Sequence, residues 1–93
     1  MRLKADEIAS IVSTVKSFDD EACVYLFGSR VDDTKRGGDI DLLIMSTLLT
    51  RNDTRKIKAR LWELLGEQKI DILLAADDSE PFVKLALETG VRL

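Results

Sequence analysis

The sequence predicts an α+β domain, with a small mixed β-sheet and helices packed on one face of it. Two observations lead to this prediction. Apolar residues recur at helical spacing in two long segments, and three short apolar runs have the composition of buried strands. Helices and strands also alternate along the chain. Because 93 residues support a single modest core, we expect one domain that spans 1–93.

Composition excludes several classes of protein. The chain is 45% hydrophobic and 33% charged, as in soluble globular proteins, and its net charge is −3. A negative chain has no general attraction for nucleic acid or an anionic membrane, so direct nucleic-acid binding is not expected. No apolar run approaches the roughly 20 residues that span a bilayer, and the charged start lacks the apolar centre of a signal peptide. We therefore expect a cytoplasmic protein without membrane contact.

The chain contains no histidine and one cysteine, Cys23. The missing histidine excludes Ser-His and Cys-His catalysis and histidine-ligated zinc. A lone cysteine cannot form an internal disulfide, and Cys23 is interpreted as a small core residue. Acid–base or metal chemistry must therefore use carboxylates, lysine, tyrosine or backbone groups.

The first half of the chain predicts a helix, a strand and an irregular segment. Residues 4–18 have one apolar helical face: Ile8, Ile11, Val12, Val15 and Phe18. Residues 22–27 are rich in strand formers and end at Gly28. Ser29 can cap a short helical turn, and the two glycines in 35–38 predict a flexible loop.

The second half predicts two further strands, 39–45 and 69–75, separated by a helix over 51–66. The buried stripe of that helix is Ile57, Leu61, Leu64 and Leu65. Trp62 flanks the stripe, and we expect it to pack in the core, with a partner surface as the alternative. Gly66 ends the helix.

A last helix is expected after the third strand. Ser79 is the predicted cap, and Pro81 is tolerated in the first turn. Its expected apolar face contains Phe82, Leu85 and Ala86, and Gly90 ends it.

Three aspartates begin the second and third strands. Asp39 and Asp41 share one face of their strand because side chains alternate, and Asp71 precedes a matching apolar run. Alone, Asp39 and Asp41 could be solvated residues that close a loop. If the two strands are neighbours, all three carboxylates converge, and two such charges about 4 Å apart repel by roughly 4 kcal/mol. A divalent cation removes that cost, and oxygen ligands favour magnesium or manganese.

Gly28 and Ser29 are candidates for binding phosphate. Glycine lets the backbone approach an anion closely, and the amides that follow it at the start of a helical turn point toward a phosphate. Ser29 can add its hydroxyl. Arg30 can reach the same phosphates, or it can be a solvated turn residue.

These residues resemble a known family. GSR…GGDIDLLI followed by KIDILLA is similar to the nucleotidyltransferases of the DNA polymerase β-like superfamily, and most of all to the minimal nucleotidyltransferase (MNT) group. The motif is Gly-Ser, a spacer, Asp-x-Asp and a third acidic residue on a later strand. It is matched by Gly28, Ser29, Asp39, Asp41 and Asp71. The ending ALETGVRL also resembles the family's closing helix and short strand.

The resemblance implies a chemistry and a set of roles. Members transfer a nucleoside monophosphate from an NTP, here expected to be ATP, to an acceptor hydroxyl and release pyrophosphate. Asp39 and Asp41 would bind two Mg²⁺ ions. Asp71 would bind the ion nearer the acceptor and take the acceptor's proton. Gly28 and Ser29, with Arg30, would hold the triphosphate.

The resemblance also implies a partner. Many short members are antitoxins of a helical HEPN-domain toxin, and some adenylylate a tyrosine on it. The alternative is a binding module that neutralises the HEPN partner without turnover. Self-association is compatible with an uncovered sheet face. The basic segment 51–60 is interpreted as a solvated helix face, with a docking surface for an acidic partner or a nucleotide as the other possibility.

Overall fold

A computed structural model describes residues 3–28 and 39–93 of the chain. Its elements are α1 (Ala5–Phe18), β1 (Cys23–Phe27), β2 (Ile40–Met45), α2 (Arg51–Leu65), β3 (Ile70–Ala75), α3 (Pro81–Thr89) and β4 (Val91–Arg92). The long helices and the three main strands confirm the predicted elements to within one residue at most ends. The helical turn expected at Ser29, and the loop at 35–38, lie outside the described residues.

The four strands form one mixed sheet in the order β3-β2-β1-β4. β1 is antiparallel to both β2 and β4, and β2 is parallel to β3. The parallel pair needs a crossover connection, which α2 supplies. This arrangement confirms the predicted α+β class and the small mixed sheet.

The main core lies between one face of the sheet and the two long helices. Alternate strand residues point into it, and Ile11, Val15, Ile57 and Leu61 of α1 and α2 are fully buried there. The strand contribution is Val24, Leu26, Ile40, Leu42, Ile44 and Ile70, with Ile72 and Leu74 partly buried. The apolar faces predicted for α1 and α2 therefore pack against the sheet.

The short helix α3 packs on the opposite face. Its Val83 and Ala86 are buried with Leu43 of β2 in a second apolar cluster. The expectation that all helices share one face holds for α1 and α2 but not for α3. The predicted apolar face of α3 was also wrong in part, because Phe82 and Leu85 are 56% and 54% exposed. Only Ala86 of the predicted trio is buried.

Three other local predictions need correction. Ser79 does not cap α3, because Glu80 is the cap residue and Pro81 begins the helix; the backbone N–H of Ser79 instead donates to Asp77 Oδ1 at 3.0 Å. Trp62 does not pack in the core but is 52% exposed. Leu64, expected in the buried stripe, is also largely exposed.

A polar junction fixes the end of the strands away from Asp39. The Ser46 hydroxyl donates to Asp19 Oδ2 at 2.6 Å and accepts the backbone N–H groups of Leu48 and Leu49, both at 3.1 Å. It joins the end of α1 to the turn that leads into α2. Thr50 and Asp53 then cap α2 reciprocally.

In the described part of the chain, no helix is both long and apolar enough to cross a membrane.

Candidate active site

The entry ends of β2 and β3 bring two of the three predicted aspartates together. Asp41 and Asp71 are register partners in the parallel pair. The residues that follow them belong to the same core, in which Leu42 and Ile44 are buried and Ile72 and Leu74 are partly buried. Because register partners point to the same face, the register alone places the two carboxylates side by side on neighbouring strands, which are about 4.8 Å apart. This is the strand pairing on which the predicted convergence depended.

The surroundings of Asp41 disfavour the ionised form of its carboxyl group. Partial burial raises the pKa of Asp41 above its usual value, and the negative charges of Asp71 and then Asp39 raise it further. The Lys69 ammonium acts in the opposite direction. Burial and nearby negative charge disfavour the ionised carboxylate, whereas a nearby positive charge favours it. A cation bound between the carboxylates would relieve the repulsion that raises the pKa.

Lys69 completes this end of the sheet, and sequence reasoning missed it. Its Nζ lies 3.4 Å from Asp39 Oδ2, and both side chains are substantially exposed. The backbone N–H of Ile40 donates to the Lys69 carbonyl, which sets Lys69 beside Asp39. The signal was present in the two matching strand openings, KID and DID. Aligning them places a lysine opposite the first aspartate.

Gly28 packs directly against the Asp41 carboxylate. It follows β1 with φ of +78°, a conformation that glycine adopts readily. A Cβ added there would overlap Asp41 Oδ2 and lie 3.2 Å from Asp41 Cγ. The close approach therefore requires glycine on two grounds. Ser29 and Arg30, the other predicted phosphate ligands, lie outside the described residues.

The donor set fits a hard divalent cation. The acidic groups at this strand end are all carboxylates, and oxygen ligands are the ones that Mg²⁺ and Mn²⁺ take. Within residues 3–28 and 39–93, no three metal-ligating side chains lie close enough together to hold one ion. The described chain pairs Asp41 with Asp71 and holds Asp39 on Lys69. The metal-binding role of the three aspartates stays a prediction.

Fold and carboxylate pair together indicate the class of protein. The family model described as "Polymerase beta, Nucleotidyltransferase" matches residues 9–93. The chain therefore belongs to the polymerase β nucleotidyltransferase family, and its general function is that of a nucleotidyltransferase. A comparison with curated proteins finds none that matches the chain.

Proposed function

We propose that this protein is a Mg²⁺-dependent nucleotidyltransferase that moves AMP from ATP to a hydroxyl on a partner protein. Within that activity it would serve as the antitoxin of a HEPN-type toxin–antitoxin pair. The observation that supports the chemistry best is the pairing of Asp41 with Asp71 at the entry of two parallel strands, inside a nucleotidyltransferase fold. An acidic pair in register costs stability, and a structural role would not need it.

The residues of the chain would divide the work between them. Asp39, Asp41 and Asp71 would hold Mg²⁺, which supplies charge neutralisation to the triphosphate. Gly28 would let the backbone approach the phosphates, with Ser29 and Arg30 beside it. Phosphoryl transfer depends mainly on such positioning and electrostatic stabilisation.

Bond changes in the proposed reaction balance without a further reactant. The acceptor oxygen bonds to the α-phosphorus as the bond from that phosphorus to the pyrophosphate oxygen breaks. The acceptor's proton passes to the Asp71 carboxylate, which is an oxygen base at the edge of the pair. Pyrophosphate is the leaving group.

A partner protein is supported by apolar side chains that the fold leaves exposed on α2. Trp62 and Leu64 are both about half exposed on this amphipathic helix. Aromatic and aliphatic side chains of this kind are typical of protein interfaces. A helical partner of the HEPN type would cover them on binding.

The second candidate is a binding module that neutralises its partner without turnover. One observation favours it: within the described residues, Asp39 pairs with Lys69, and three ligands for one ion do not come together. In that case the exposed side chains of α2 would bind the partner, and the carboxylate pair would have no catalytic role.

The experiment that separates the two uses labelled ATP, Mg²⁺ and the product of the neighbouring gene. If the protein is an enzyme, label should appear on the partner, and Asp41→Asn or Asp71→Asn should abolish it. Asp78→Asn, at an exposed site outside the pair, should leave the labelling intact. Neutralisation of the partner by both active-site variants, with no label transferred by the native chain, would establish the binding module instead.

A further inference from the structure

Phe27, Asp41 and Asp71 form one row across the sheet. Phe27 is the register partner of Asp41 in the antiparallel pair, and Asp41 is the partner of Asp71 in the parallel pair. Partners in register point to the same face, so an aromatic ring stands beside the carboxylates. With strands about 4.8 Å apart, the whole row spans about 10 Å.

A cavity of about 270 Å³ opens beside the Phe27 ring on this face. In the described part of the chain its lining is mostly apolar and is formed by Phe27, Gly28, Phe82, Leu85, Ala86 and Thr89. The rings of Phe27 and Phe82 meet edge to face, with centroids 6.0 Å apart and planes at 82°. Phe82 and Leu85 nevertheless remain more than half exposed. The fold therefore holds an aromatic wall open to solvent next to the candidate active site.

The chemistry of the lining selects a flat, uncharged group. Among the lining residues that the structure describes, none carries a charge, so these side chains offer a phosphate no cation. The Thr89 hydroxyl already donates to the Leu85 carbonyl at 2.8 Å. Exposed aromatic rings bind nucleobases by stacking, which tolerates any base because every base has a π-face.

Continuity with the carboxylates decides which planar group belongs there. Gly28 lines the cavity and also packs on Asp41, so the cavity adjoins the residues proposed to hold the phosphates. Asp71, proposed to serve the acceptor, lies at the other end of the row on β3. The cavity therefore lies on the nucleotide side of the site.

We propose that this cavity binds the base of the nucleoside triphosphate, with Phe82 as a stacking ring. The inference rests on the proposed nucleotidyltransferase function and adds to it a base-binding subsite formed by β1 and α3. Because the contact is by stacking on rings, the subsite accepts purines more tightly than pyrimidines without reading their edges.

Calorimetric titration of the full chain with Mg²⁺-ATP and with Mg²⁺-ribose 5-triphosphate tests the subsite, since the second ligand lacks only the base. The native chain should bind ATP more tightly. Phe82→Ala should weaken ATP binding by at least about fivefold and leave ribose triphosphate binding unchanged. Phe82→Leu, which keeps apolar bulk without a ring, should behave in the same way. Leu48→Ala, at an exposed leucine outside the cavity, should change neither.

The outcomes are distinguishable. If the native chain binds neither triphosphate, the proposed function fails and the subsite fails with it. If it binds both with equal affinity, or if Phe82→Ala weakens both alike, the subsite is wrong while the triphosphate site stands. If Phe82→Ala leaves ATP binding intact but abolishes binding of N-acetyltyrosinamide, the cavity takes an aromatic acceptor side chain, and the proposal is overturned.

Discussion

Asp41 and Asp71 lie side by side on two parallel strands, near the N-terminal end of each strand. Like charges directly opposite in a sheet are destabilising. Behind them, the same strands bury Leu42, Ile44 and Ile70, which fix the register. The core therefore holds in place a pair of groups that repel each other, as expected where folding stability is given up for chemistry.

Neutralising Asp41 should stabilise the metal-free protein at neutral pH. A carboxyl group whose pKa is raised by folding binds protons more tightly in the folded state, so its contribution to stability is lost as pH rises through the folded pKa. We expect Asp41→Asn, measured in EDTA, to raise the melting temperature at pH 7. The gain should shrink as pH falls toward the usual aspartate range near about 4. A gain that persists at low pH would contradict this cause.

Asp53 should show the opposite sign. Hydrogen bonds from the Thr50 backbone and hydroxyl lower the pKa of Asp53 below its usual value. Its contribution to stability is therefore present above the unfolded pKa and is lost as pH falls through the folded one. Asp53→Asn should lower the melting temperature at pH 7 and have no effect at acid pH. If Asp41→Asn and Asp53→Asn changed the melting temperature equally at pH 7, folding would not shift the two pKa values in opposite directions.

Removing Lys69 should tighten metal binding. Its ammonium holds Asp39 at 3.4 Å and competes with a cation for that carboxylate. We expect Lys69→Gln to lower the dissociation constant for Mn²⁺ severalfold, measured by electron paramagnetic resonance of the free ion. Lys58→Gln, at an exposed lysine of α2, is the matched control and should change nothing. Weaker Mn²⁺ binding in Lys69→Gln would show that Lys69 supports the site instead.

Adding a methyl group at Gly28 should impair the site more than the fold. Gly28 and Gly66 both have positive φ, so Gly28→Ala and Gly66→Ala should each cost about 1–3 kcal/mol of unfolding free energy. Only the Cβ added at position 28 would collide with the Asp41 carboxylate, because nothing lies within 4 Å of a Cβ at Gly66. Mn²⁺ affinity should therefore fall in Gly28→Ala alone. Urea denaturation and metal titration of both variants check this, and equal metal affinities would exclude the collision.

Ser46→Ala should weaken the fold without affecting the site. The substitution leaves Asp19 Oδ2 and the buried Leu49 N–H without their partner, which should cost about 1–3 kcal/mol. Metal binding should be unchanged because Ser46 lies at the far end of β2. Urea denaturation measures the loss, with Ser13→Ala at an exposed position of α1 as the control. A loss no larger than that of Ser13→Ala would mean that the junction is solvated.

Much of the fold follows from hydrophobic period, and the exceptions have local causes. The long helices were predictable because their apolar stripes recur over several turns. In the nine residues of α3, apolar side chains surround the helix, so spacing alone could not choose Val83 over Phe82. The choice is made by tertiary packing on Leu43. Trp62 is exposed because Ile57 and Leu61 already fill the space against the sheet.

The candidate site was predictable in part for a similar reason. Asp41 and Asp71 could be paired because each begins the same apolar pattern, and the pattern sets the register. The ion pair of Lys69 with Asp39 depends on that register, so it was not predicted before the register was known. Phe27 lies beside the carboxylates because β1 pairs antiparallel with β2, and the sequence of β1 does not specify that pairing.

In the described sheet, β3 pairs with β2 alone and is an edge strand. Asp71 therefore lies on the outermost strand of the described sheet, and a bulky acceptor would approach it from that side. Choice of target would then depend on how two macromolecules dock, and the outer edge of β3, which pairs with no other described strand, would give an incoming chain a place to align.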